Sequence, residues 1–145
     1  MRVVLSVSDS DKHFQAIKEY EKRLSTKCKV QNIKPARSTH EQIIQKDTEL
    51  ILSLLQKKYS DYYKVLLSKD GKTMTTEQFA DLLRKNLNVV FVIGPYGLDE
   101  SLIQKYINAK ISFGQMTLQH GLAKLVLLEQ LYRVSTIWEG RQYHY

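Results

Sequence analysis

Three stretches of this sequence run from apolar residues into glycine and small polar residues. They are Leu67-Ser68-Lys69-Asp70-Gly71, Ile93-Gly94-Pro95-Tyr96-Gly97 and Ser112-Phe113-Gly114-Gln115-Met116-Thr117. Glycine at a strand end lets a ligand approach the backbone closely. Gly94-x-x-Gly97 lacks the Lys-Ser/Thr pair of a phosphate-gripping loop and is not a dinucleotide fingerprint. Alone, it is also what a plain turn requires. His120 falls just inside the expected start of the last helix, where the dipole disfavours a cationic ring. It is a candidate base or RNA contact, or an ordinary half-exposed histidine. Glu129, among apolar neighbours, reads as a paired structural or interface carboxylate. Asp99 and Glu100 read as helix-start residues. In the tail, Trp138, Tyr143, His144 and Tyr145 stand beside Arg141. Aromatic planes with a cation suit stacking on unpaired bases and contacting phosphate. They equally suit packing back on the body or on a second subunit. No carboxylate pair and no His/Cys/Asp cluster suggests a hydrolase or a metal enzyme, and Cys28 is the single cysteine.

The elements that must hold these residues alternate. Arg2–Val7 reads as a strand, and Asp9-Ser10-Asp11 as the start of a helix with Phe14, Ile17, Tyr20 and Leu24 on one face. Lys29–Ile33 is a second strand. Ser38 with Glu41 has capping-box spacing, and the helix after it carries Ile43, Ile44, Leu50, Ile51, Leu54 and Leu55 in a stripe that only Asp47 interrupts. Tyr63–Leu67 is a third strand, expected to end in a turn at Asp70-Gly71. Thr75 with Gln78 repeats the capping box before Phe79, Leu82 and Leu83. Asn88–Ile93 is apolar at almost every position and is expected to be central, covered on both faces. Asp99 caps a short helix with Leu102 and Tyr106. Lys110–Phe113 is a fifth strand, and a long helix runs from Leu118 to about Thr136. This order predicts an α/β fold, a mostly parallel sheet with helices on both faces, in a single domain over residues 1–145. Ligands bind such sheets at the carboxyl ends of the strands.

Composition sets the setting. Of 145 residues, 43% are hydrophobic and 26% charged, as in soluble globular domains. No apolar run approaches the roughly 20 residues of a membrane helix, and a reducing cytoplasm fits the lone cysteine. Net charge is +7. Residues 1–60 hold twelve Lys and Arg against seven Asp and Glu, so the excess sits early in the chain. Such a balance favours polyanions such as RNA.

The C-terminal third carries a resemblance. Phe91-Val92-Ile93-Gly94, Gly97-Leu98, Ile111-Ser112-Phe113-Gly114-Gln115-Met116-Thr117, His120, Leu127-Leu128-Glu129-Gln130-Leu131-Tyr132-Arg133 and Gly140-Arg141-Gln142-Tyr143-His144 closely resemble the RlmH family. Glu19-Tyr20-Glu21-Lys22-Arg23-Leu24 resembles that family's first helix. These are SPOUT-class methyltransferases of a pseudouridine N3 in large-subunit ribosomal RNA. The resemblance implies a deep C-terminal trefoil knot, here roughly residues 88–140, and a homodimer with the active site between subunits. It implies S-adenosylmethionine as cofactor, held by Leu67, Gly94, Phe113, Gly114, Gln115, Met116, Thr117 and Leu118. It implies that His120, Arg141, Tyr143 and His144 face the RNA or the transferred methyl group, and that the partner is the ribosome.

The chain departs from the family pattern in places. Gly94-Pro95-Tyr96-Gly97 is one residue shorter than the usual Gly-Gly-x-x-Gly, and Pro95 removes an N–H. Ser8-Asp9-Ser10 replaces a glycine-lysine signature. Lys124 replaces an arginine, without its planar two-pronged contact, and Gln119 replaces a proline. Two further readings stay open: a SPOUT methyltransferase of another RNA, and a knotted dimer that binds RNA or ribosomes without methylating.

Overall fold

A computed structural model describes residues 1–7, 12–34, 40–95 and 97–145, with only the backbone of His40 and Ile43. Five strands form one parallel sheet. They are β1 (Arg2–Val7), β2 (Cys28–Ile33), β3 (Tyr63–Thr73), β4 (Val89–Ile93) and β5 (Ala109–Ser112), in spatial order β2-β1-β4-β3-β5. The helices are α1 (Phe14–Leu24), α2 (His40–Gln56), α3 (Thr76–Lys85) and α4 (His120–Trp138). Short 3₁₀ turns lie at Ser25–Lys27, Glu100–Leu102 and Gln104–Tyr106.

Alternation along the strands builds two cores. Val4, Val65, Val89, Phe91, Ile93 and Ile111 point to one face, under α1, α3 and α4. Val3, Leu5, Leu66, Val90 and Val92 point to the other, under α2, Tyr59 and Ile103. Strand β4 is the middle strand, and none of its residues is more than 5% exposed. Phe91 lies in register with Val4 on one side and Val65 on the other. Its ring meets Phe79 of α3 at 5.8 Å between centroids. Helix α3 has the expected capping box: Thr75 accepts from the Gln78 N–H, and the Gln78 side chain accepts from the Thr75 N–H.

Several expectations need correction. Asp70-Gly71 does not end β3, which continues to Thr73. Leu67 and Lys72 both pair with Ile111, so Ser68–Gly71 form a bulge inside the strand. Gly71 is glycine for space: a Cβ there would lie 2.6–2.7 Å from the backbone of Ile111 and Lys110. In α2 the buried face holds Asp47, Thr48, Ile51 and Leu55, whereas Leu50 is exposed. The charged Asp47 therefore lies inside the packed face, not beside it. The stretch with Asp9-Ser10-Asp11, and Ser38 of the first capping box, lie outside the described residues.

Two outcomes follow from this packing. Gly71→Ala forces β3 and β5 apart, and we expect a loss of roughly 1–3 kcal/mol, the range for overpacked sites, measured by urea denaturation. An unchanged midpoint would mean that the two strands are not held at this distance. Burial pushes the Cys28 thiol up to about 12, with Glu21 adding to the rise and Arg2 opposing it. Cys28 should therefore react with a thiol reagent at pH 8 roughly a thousand-fold more slowly than in the unfolded chain.

Candidate functional site

A cleft of about 530 Å³ opens at the bulge in β3, the carboxyl ends of β4 and β5 and the start of α4. That is the position at which open α/β sheets bind ligands, and the volume is that of a small-molecule site. Its walls include Leu67, Gly94, Phe113, Gly114, Met116, Thr117, Leu118 and His120. The fold thus brings together residues that are up to 56 positions apart in the sequence, from Leu67 to Ala123. Gln115 is not among the lining residues.

Each wall has a local cause. The β3 bulge carries Ser68 and Lys69 into the lining. Where β4 ends, burial ends, and Gly94 follows. Its backbone is not left-handed; its missing side chain leaves room for Leu98, whose Cδ2 would sit 2.5 Å from a Cβ at Gly94. Gly97 has a φ of 79°, and the Leu98 N–H closes the turn on the Pro95 carbonyl at 3.1 Å. Glycine shape therefore serves the turn at position 97 and space at position 94. Past β5, Gly114 has a φ of 133°, a conformation side chains rarely adopt. Ser112 pins this loop, donating to the Gly114 carbonyl and accepting from its N–H.

The polar groups of the cleft are few. Glu100 lines it and is paired with Lys110 of β5 at 2.9 Å. Sequence reasoning assigned Glu100 to the helix start alone. Asp99 does cap that turn, accepting from the Ser101 N–H and hydroxyl, and these bonds hold its carboxyl below the usual range. Ser68 and Lys69 belong to the first of the three candidate stretches, whereas Leu98, Glu100 and Ala123 were missed as wall residues. The bulge that delivers the first two has no signal in residue type, because Asp-Gly ordinarily marks a turn. His120 is the first residue of α4, with Gln119 as cap, and its Nε2 lies 2.9 Å from Ser6 Oγ. Lys124 is fully buried one turn later and donates to Asn32 Oδ1 at 2.7 Å, tying α4 to β2.

The tail residues Arg141, Tyr143 and His144 are not in this cleft of the same chain. The tail doubles back along α4. Tyr143 meets Tyr20 and Glu129 through its hydroxyl, and burial raises its phenol above the ordinary value. Glu129 also accepts two bonds from Arg133 at 3.0 and 2.7 Å, so its carboxylate is paired within the chain. Arg133 can only donate, so His144 Nδ1 accepts, and its Nε2–H bonds to Glu77 at 2.9 Å. Arg141 pairs with Glu139. A smaller apolar recess of about 250 Å³, walled by Leu24, Cys28, Leu83 and Trp138, lies at the opposite end of the sheet.

The bond from His144 holds the exposed Glu77 carboxyl below its ordinary value. A depressed carboxyl contributes above its unfolded value and loses that contribution as pH falls through the folded one. The tail amides should therefore gain mobility in NMR relaxation as Glu77 is protonated, and Glu77→Gln should reproduce this at pH 7. A tail equally rigid in both conditions would show that other contacts hold it.

Among the described residues, no His/Cys/Asp/Glu group could hold a metal ion, and no helix is long and apolar enough to cross a membrane. The fold is shared with solved structures. A putative RNA methyltransferase from Bacillus anthracis matches with a TM-score of 0.61 and 16% identity, over 99% of each chain. A tRNA (m1G37) methyltransferase from Aquifex aeolicus matches with a TM-score of 0.60 and 15% identity, over 92% of this chain and 69% of its own. Sequence relatives extend the likeness. A protein of Parabacteroides distasonis named ribosomal RNA large subunit methyltransferase H is 36% identical, covering 99% of this chain and 96% of its own. One of the same name from Pseudothermotoga lettingae is 40% identical, over 90% and 89%. The family described as "Predicted SPOUT methyltransferase" matches residues 1–144. With the parallel sheet, the strand-end cleft and these likenesses together, the chain belongs to the SPOUT methyltransferase family.

Proposed function

We propose that this protein uses S-adenosylmethionine to methylate N3 of a pseudouridine in large-subunit ribosomal RNA, on the ribosome. The observation that carries the reading is the convergence of the β3 bulge and the glycine-bearing ends of β4 and β5 on one cleft. The cofactor residues would be Leu67, Gly94, Phe113, Gly114, Gln115, Met116, Thr117 and Leu118, seven of which line that cleft. The fit is chemical as well as volumetric. Leu67, Ile93, Leu98, Ile111 and Leu118 offer an apolar bed for a purine, and the glycines leave backbone groups approachable. Lys69 and the Glu100–Lys110 pair offer both signs of charge to an amino-acid end.

When bound, the cofactor supplies a methyl group on a cationic sulfonium. The chain's own task is placement, since an in-line approach supplies much of the rate of such a transfer. His120 would meet the RNA base at the cleft. Arg141, Tyr143 and His144 would meet the RNA or the methyl group in the cleft of a second subunit, because in their own subunit they lie elsewhere. The reading includes a homodimer, a knot over roughly residues 88–140, a single domain over residues 1–145 and a cytoplasmic setting. The net charge of +7 suits an RNA substrate.

The first test is titration calorimetry with S-adenosylmethionine and S-adenosylhomocysteine. Micromolar binding, about −8 kcal/mol, is expected of the wild type. Gly94→Val drives Leu98 and its own methyl groups into the cleft, and should weaken binding at least about tenfold while far-UV circular dichroism stays native. Equal affinity of the variant would refute the site. No binding by the wild type, with or without ribosomes, would refute the enzyme and favour an RNA-binding dimer.

A further inference from the structure

Helix α4 begins at the cleft with His120 and ends with Trp138 at the apolar recess on the opposite end of the sheet, about 27 Å away at the rise of a helix. The recess measures about 250 Å³, and its walls include Leu24, Cys28, Leu83, Leu131, Val134 and Trp138. A cavity of about 150 Å³ holds benzene, so this one has room for an apolar body of about eight carbons.

One charged group in the wall is not explained by packing. Arg2, the first residue of β1, lines the recess with its guanidinium over the Trp138 ring, 5.1 Å from the centroid. One of its N–H groups donates to the Leu83 carbonyl near the end of α3, at 3.3 Å. The rest of the guanidinium fork has no protein acceptor among the described residues, and no carboxylate there pairs with it. Glu139, the acid in the same wall, is held by Lys27 and Arg141. Burial works against the Arg2 charge and lowers its pKa, with Cys28 opposing the shift. A cation drawn out of water stays costly until an anion meets it. A guanidinium fork matches a carboxylate in shape as well as in charge.

We propose that this recess is a second binding site, for a small amphiphilic carboxylate. Its apolar body lies among Leu24, Leu83, Leu131, Val134 and Trp138, and its carboxylate takes the open side of Arg2. Lys27 adds a second positive charge to the wall, partly offset by Glu139. The site is separate from the cleft and does not depend on the methyltransferase reading.

Trp138 is the only tryptophan, so its fluorescence reports on this recess. The test is titration of the full chain with octanoate and with octanol, followed by Trp138 emission. Octanoate should shift the emission and saturate it with a dissociation constant below about 1 mM. Octanol has the same chain length and no charge, and should bind at least about tenfold more weakly, the difference that a charge-assisted hydrogen bond makes. Arg2→Met keeps an apolar stem and should bring the two ligands within about twofold of each other, with circular dichroism used to check that the variant is folded. Equal affinities of octanoate and octanol in the wild type overturn the proposal, and that comparison needs no variant to fold. A preference for octanoate that survives in folded Arg2→Met overturns the role of Arg2. Emission unmoved by octanoate up to about 5 mM overturns the site itself, and is the result expected if a second subunit covers the recess.

Discussion

Strand β4 has no face turned to water. Its residues are covered on both sides, so its backbone groups must be satisfied by β1 and β3 and its side chains by helices above and below. That requirement fixes the middle of the sheet and therefore where the chain can leave it. The exit is at Gly94; β3, whose bulge lines the cleft, pairs with β4 on one side, and β5 lies beyond β3 in the order. The cleft is a consequence of this arrangement. Its wall residues come from distant parts of the sequence, but the β3 bulge and the ends of β4 and β5 are placed by the same buried layer.

Helix α4 closes one side of that layer and is fixed by polar ties as well as by Leu127, Leu128, Leu131 and Val134. His120 reaches β1 and Lys124 reaches β2. Glu129 gathers Arg133 and the tail tyrosine. Hydrophobic contact tolerates small slips of a helix along a sheet, whereas a buried donor and its acceptor do not. These bonds set the register of α4, and with it the height of His120 at the cleft.

Much of this was legible in the residues. The continuous apolar run of β4, the capping box of α3 and the order of alternating elements each have a direct physical signature. The glycines at 94, 97 and 114 marked the strand ends correctly. The failures have causes too. Asp70-Gly71 has the composition of a turn, yet Gly71 is glycine because β5 passes too close for a Cβ. Periodicity assigned Leu50 to the buried stripe of α2 and made Asp47 its flaw. In fact Asp47 is 2% exposed and Leu50 44%. The pairing of Ser6 with His120 joins opposite ends of the chain and leaves no local trace. For the tail, residue types allowed RNA stacking or packing on the body. The distances to Tyr20, Glu129 and Glu77 show that within one chain it packs on the body.

The place of β1 has a consequence for how the protein comes into being. Arg2–Ser6 are flanked by β2 and β4, and the β4 partners lie at Val89–Ile93. A ribosome delivers those residues only after most of the chain has been made. Until then β1 and β2 have one side unpaired and one core uncovered, so the early half cannot settle as an independent unit. Contacts so distant in sequence make folding slow, and the nascent chain exposes apolar strand edges for longer than a helical bundle of this size would. The arrangement that makes one strand-end cleft from the whole chain also makes assembly wait for nearly the whole chain.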